Sequence, residues 1–193
     1  MKTKNWIRFG LVGTAIMAMV GCNGNDLTRS ASPVALIAST TQNLHTIDIV
    51  GGTGCNQSLA TINLQAVIKN PAAGSTNSTF DQVRVSSYQV SYVRTDGGKQ
   101  VPAPIVVSTD VLLTPGGSAV PLGTVIQVTA DALKQAPFQA LNPANGGRDP
   151  DTGKSTISMD LITTIFGETL AGDKVSAQAK AAVTFCYNCG GCS

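Results

Sequence analysis

Along most of the chain, apolar and polar residues alternate. A period of 2 places successive side chains on opposite faces of a β-strand, whereas a helix repeats every 3.6 residues. Ile47 and Ile49 alternate with polar neighbours until Gly51-Gly52-Thr53-Gly54 breaks the run. Leu59, Ile62, Leu64, Ala66 and Ile68 mark a strand from Ser58 to Lys69, closed by Asn70-Pro71. Val83 and Val85 share one parity, and Tyr88, Val90 and Tyr92 share the other, so the phase slips. A bulge near Ser86-Ser87 accounts for the slip. Further strands are predicted over Ile105–Leu113, Val120–Thr129, Thr156–Phe166 and Lys174–Cys186, separated by Gly97-Gly98, Pro115-Gly116-Gly117 and Gly172-Asp173. The last of these is the most regular: Val175, Ala177, Ala179, Ala181, Val183 and Phe185 share one face, and Ser176, Gln178, Lys180 and Thr184 share the other.

One helix is predicted, Asp131 to Ala136, with Asp131 as its N-cap and Pro137 as its stop. The crossover helices that parallel strands require are missing, which excludes an α/β fold. One wet and one dry face per strand belong to antiparallel sheets. The expected class is therefore all-β, an antiparallel two-sheet sandwich with one short helix. It resembles immunoglobulin-like domains in architecture only. The Cys and Trp core spacing of that family is missing, and the sole Trp, Trp6, lies near the start of the chain. At 193 residues and 42% apolar content the chain can bury a real core, and no heptad persists that would indicate a coiled coil. No internal repeat is found. Two segments, Asn70–Thr79 and Asn142–Lys154, are long enough to be loops of functional interest.

The first 22 residues carry a different signal. Met1 to Arg8 contains Lys2, Lys4 and Arg8, and Phe9–Val20 is an apolar run of 12 residues. A spanning helix needs about 20 residues, so the layout is that of an export signal. It ends in Met19-Val20-Gly21-Cys22, which resembles the lipobox of bacterial lipoproteins, with Met19 where Leu is commonest. The resemblance implies that residues 1–21 are removed and that Cys22 becomes a diacylglyceryl- and palmitate-type acylated N-terminus. It also implies a membrane partner through that anchor and, since Asn23 and not Asp follows, an outer-membrane destination. Residues 22–44 then form a tether and 45–193 the folded domain. Within the tether, Pro33–Ala38 is an apolar patch that fits either the tether or a first strand. Loss of Lys2, Lys4 and Arg8 reduces 13 basic side chains to 10 against 11 acidic ones, and the formal charge moves from +2 to −1. With its basic residues scattered, such a chain offers no electrostatic footprint for nucleic acid.

With Cys22 set aside, Cys55, Cys186, Cys189 and Cys192 remain, an even number in an exported chain, and disulfides are the expected state. Three pairings are possible, each joining Cys55 to the Cys-Tyr-Asn-Cys-Gly-Gly-Cys tail. The alternative is a metal or redox site, since four thiolates suit tetrahedral zinc. The tail also matches the first three positions of the bacterial ferredoxin run, but the chain stops at Ser193. Gly190 stands where haem attachment needs His, and no thioredoxin-like βαβ pattern surrounds the Cys-x2-Cys.

Catalytic chemistry finds little support. His45 is the only histidine, in the tether or at the lip of the first strand, and reads as a surface residue. None of the nucleophile-elbow, zinc-helix or phosphate-loop motifs occurs. Glu168, the only glutamate, is expected in a turn before the last strand. Asp149 and Asp151 form the nearest carboxylate pair and read as a solvated turn, with a weak calcium site or paired-aspartate hydrolase as sharper versions. Tyr88 and Tyr92 read as half-buried strand residues, which leaves only Tyr187 besides them as a polar aromatic platform. The functional expectation is a non-enzymatic, lipid-anchored envelope sandwich without a cofactor that binds or scaffolds another envelope protein, through exposed sheet edges and the two loops.

Overall fold

A computed structural model describes residues 32–41, 44–50, 61–70 and 78–189. The leader, Cys22, Cys55, Cys192, the Gly51–Gly54 break and most of the 70–79 loop lie outside the described residues. The chain forms β1 (Val34–Thr40), β2 (Leu44–Asp48), β3 (Ile62–Ile68), β4 (Val83–Arg94), β5 (Ile105–Leu113), β6 (Val120–Pro121), β7 (Thr156–Thr169) and β8 (Lys174–Cys186), with α1 (Ala130–Leu133). β1, β3 and β6 make a small sheet, and the larger sheet runs β2-β8-β7-β4-β5. The two face each other across one core in a sandwich-like arrangement. Among the described residues, no helix is long and apolar enough to cross a membrane.

Alternation carries over directly into burial. All six residues of the expected dry face of β8, from Val175 to Phe185, are buried. Three of them are alanines, and β1 packs against this strand across the core. The apolar patch that began at Pro33 is thus a strand and not tether: Val34, Leu36 and Ala38 enter the core opposite β8. β5 and β8 span the residues expected of them, and the β4 register shifts between Val85 and Ser87 against both neighbours.

Four expectations need correction. The sheets are not antiparallel throughout, because β2 runs parallel to β8, with His45 opposite Val183 and Asp48 opposite Cys186. No hairpin joins these strands, which come from distant parts of the chain, so no short turn forces them to run in opposite directions. Val120–Thr129 is not one strand. Val120–Pro121 pairs with Leu64 and Asn63, Val128 makes an isolated bridge, and the buried Leu122, Val125 and Val128 recur every third residue. Leu122 N still donates to Ile62 O at 2.8 Å, and the chain leaves the sheet at Gly123, φ +88.

The helix starts earlier than expected. Thr129, in extended conformation, caps it by accepting from Ala132 N at 3.2 Å, while Asp131 lies in the first turn, 3.3 Å from Lys134 Nζ at the surface. Glu168 is not in a turn either. β7 continues through it to Thr169 and sets it opposite Lys174. The neighbouring Gly167 permits this: a Cβ there would lie 3.1 Å from Arg84 O and from Val83 Cγ1. That glycine serves close strand approach, and the chain reverses only at Gly172, φ +98.

Candidate functional site: a two-loop platform on Arg94

β4 ends in Arg94, whose side chain is 2% exposed. Nε and Nη2 donate to the two oxygens of Asp96 at 2.7 and 2.9 Å, Nη2 also donates to Asp149 Oδ2 at 2.7 Å, and Nη1 donates to Gln100 O at 3.1 Å. One cation therefore ties the β4–β5 connection to the 142–154 loop. Asp96 also accepts from Gly98 N and, on the other oxygen, from Ser158 N of β7. Asp149 accepts from the Thr152 backbone and hydroxyl at 3.0 and 2.7 Å. Next to this buried cluster, Asp151 Oδ2 receives Lys99 N at 2.7 Å and Gln100 N at 2.9 Å, a second fastening between the same loops. A Cβ on Gly98 would run into the Arg94 guanidinium, so the first loop closes over its anchor only with glycine there.

Burial pushes the Asp96 carboxyl up. Hydrogen bonds from Arg94, Ser158 and Gly98 outweigh that and hold it down at about 2. Asp149 is lowered by the same balance, burial opposed by Arg94 and Thr152. On Arg94 burial works against the charge, and the two carboxylates outweigh it and raise the guanidinium. All three groups are thus charged at neutral pH.

This corrects the reading of Asp149 and Asp151 as one solvated turn. Asp149 is 1% exposed and belongs to the ion cluster, while Asp151 is exposed and caps backbone amides. Their carboxylates serve different partners, and among the described residues no three His, Cys, Asp or Glu side chains gather to hold a metal. Arg94, the centre of the site, carries no signal of its own in the sequence. Only its place at a strand end, two residues before an aspartate and the Gly97-Gly98 turn, hints at the fork.

The other singled-out residues fall elsewhere. His45 is half-buried in β2 and not at the surface; burial lowers its pKa, and its Nε2 is enclosed without a hydrogen-bond partner among the described residues. Tyr88 and Tyr92 are buried more fully than expected, at 2% and 6% exposure. Tyr88 Oη accepts from Ile126 N at 3.0 Å and Tyr92 Oη donates to Gln127 O at 2.9 Å, so the irregular 122–128 segment is stapled to β4. Burial pushes Tyr92 up to about 12. Tyr187 is exposed.

Cys186 and Cys189 form a disulfide. While they are joined, neither sulfur is a thiolate. The short tail loop is also held by Asp48, 5% exposed, whose Oδ1 accepts from Val50 N and Asn188 N, both at 2.9 Å. Ile49 N donates to Cys186 O at 2.9 Å. Between Ile49 and Val50 on one bank and Leu133, Lys134, Gln139, Asn142 and Asn145 on the other lies a groove of about 320 Å³. No family model, curated protein or solved structure matches the chain.

Proposed function

We propose that this chain is a lipid-anchored domain of the bacterial envelope, of immunoglobulin-like architecture, that binds or scaffolds another envelope protein without enzymatic chemistry. The observation that carries the reading is the Cys186–Cys189 disulfide in a chain that starts with an export-type leader. Disulfides persist in oxidising compartments, and a lipobox-like Cys22 supplies the means of staying there. With Cys186 and Cys189 joined to each other, a second intrachain disulfide has only Cys55 and Cys192 to draw on. The Arg94 platform supports the binding role. Its buried carboxylates position two loops, and those loops present Lys99, Arg148 and Lys154 to solvent.

Two measurements test this. The full chain, expressed in a bacterium with a labelled fatty acid, should incorporate label that Cys22→Ser abolishes, and its intact mass should lack residues 1–21. A photo-cross-linking residue at position 99 or 154 should yield one discrete envelope adduct that the same residue at position 178, on β8, does not. An unprocessed, reduced, cytoplasmic chain, or identical adducts from all three positions, would overturn the proposal.

A further inference from the structure

The larger sheet is unfinished along β5. This strand pairs with β4 on one side, and among the described residues no strand pairs with the other. Its core-facing side chains show the consequence. Ile105, Val107 and Val111 are only partly buried against the core and Leu113 alone, at the end of the strand, is fully covered, whereas Val83, Val85 and Val90 on the adjoining β4 all are. On the outer face Val106 is 70% and Leu112 54% exposed. Strand edges left open in soluble proteins usually carry a lysine, a proline or a bulge that blocks further pairing. Ile105–Leu113 contains no lysine or proline, and although the register shift sets its Thr109 and Asp110 against the single Ser86 of β4, its own alternation of covered and exposed residues runs unbroken from Ile105 to Leu113. Its one charge, Asp110, is already held by both nitrogens of a bidentate Arg84 fork, at 2.8 and 2.9 Å.

The order of residues in β5 indicates what fits the edge. Ile-Val-Val-Ser-Thr-Asp-Val-Leu-Leu is symmetric in polarity about Thr109. An antiparallel copy centred there sets Ile105 opposite Leu113, Val106 opposite Leu112, Val107 opposite Val111, Ser108 opposite Asp110 and Thr109 opposite itself. Every apolar residue meets an apolar one on the same face, and each Asp110 meets a hydroxyl. A centre at Ser108 would set Val106 against Asp110, a centre at Asp110 would set the two carboxylates against each other, and a centre between residues would oppose inward to outward side chains. Pro102 and Pro104 before the strand and Pro115 after it limit the pairing to this segment.

From this we infer that the chain forms a twofold dimer through β5, joining two five-stranded sheets edge to edge. The contact is isologous and closes on itself, since it consumes the same edge in both copies. The inference rests on the strand alone and stands apart from the anchoring and binding proposed above.

Cysteine placement in the full chain, solubilised in detergent and run without reductant, tests both the dimer and its register. Residues directly opposite in an antiparallel pair lie roughly 4.5–5.5 Å apart at Cα, within disulfide range. Thr109→Cys should therefore give a disulfide-linked dimer well above the wild-type background set by the native cysteines. Leu112→Cys alone should not, because its own copy lies six residues away, about 20 Å along the strand. A mixture of Val106→Cys and Leu112→Cys chains should cross-link with each other. Val106→Lys/Leu112→Lys, at exposed positions, should leave the circular dichroism unchanged and weaken dimerisation in sedimentation equilibrium by about tenfold or more, because lysines then face each other twice. Equal cross-linking at 109 and 112, no excess at 109, or a wild-type monomer at the concentration used would overturn the inference.

Discussion

β4 carries two Arg–Asp forks of nearly the same geometry at its two ends. Arg94 grips Asp96 at 2.7 and 2.9 Å with both side chains nearly out of solvent, 2% and 5% exposed. Arg84 grips Asp110 at 2.8 and 2.9 Å with both exposed by more than 60%. Distance does not separate them, and burial does. Around Arg94, each charge has left water and depends on its protein partners, so removing one strands the rest. Around Arg84, water replaces whatever is removed. At one end the fork fixes two loops; at the other it lies on an exposed face of the sheet.

The strongest break in this comparison is Arg94→Met. It leaves the Asp96 and Asp149 carboxylates buried without their cation and should cost about 3–5 kcal/mol in denaturant unfolding, with the 142–154 loop losing amide protection first. Acid should separate the two ends next. The Asp96 pKa is depressed from 3.8 to about 2, so its contribution is present above pH 3.8 and is lost as pH falls through the folded value near 2. That amounts to roughly 2 kcal/mol, with Asp149 acting in the same direction. Stability measured between pH 5 and 2 should fall steeply for the wild type and more gently for Asp96→Asn, which starts lower. A slope that Asp96→Asn leaves unaltered would mean that the cluster does not govern acid unfolding.

A neutral contact on the same strand should rank between the forks. Tyr92→Phe removes one buried hydrogen bond, to Gln127 O, and should cost about 1 kcal/mol, read as a shift in the denaturant midpoint without a change in slope. Arg84→Ala should do least: an unfolding midpoint indistinguishable from the wild type, at low salt and high salt alike. If Arg84→Ala proved as damaging as Arg94→Met, fork geometry and not burial would set the value of these pairs.

Much of the fold is legible as pattern. The alternation in β8, the extent of β5 and the bulge at Ser86-Ser87 each follow from side-chain parity, because a strand that buries one face must keep a period of 2. Misreadings occurred where one residue type serves two purposes. Gly167 and Gly172 both resemble turn glycines, and only the backbone of β4 lying against Gly167 distinguishes them. Between Leu122 and Val128 the buried residues recur every third position and not every second, because that segment is held by the hydroxyls of Tyr88 and Tyr92 and not by a ladder. The candidate site was the least legible part. Asp149 and Asp151 stand two apart in a polar loop, and nothing local shows that one is buried under Arg94 while the other stays wet.

The sequence by itself determined that the chain is built mainly of strands, which face of each is apolar, where one helix begins to within two residues, and that paired sulfurs fit its tail. Those properties depend on neighbours in the chain. The tertiary structure alone decided that β2 runs parallel to β8, that Val34–Thr40 joins the core, which carboxylates surround Arg94, and that β5 is the last strand of the larger sheet among the described residues. Each depends on segments tens to more than a hundred residues apart meeting in space. Burial, which sets the energetic weight of a charge or an apolar side chain, exists only once they have met.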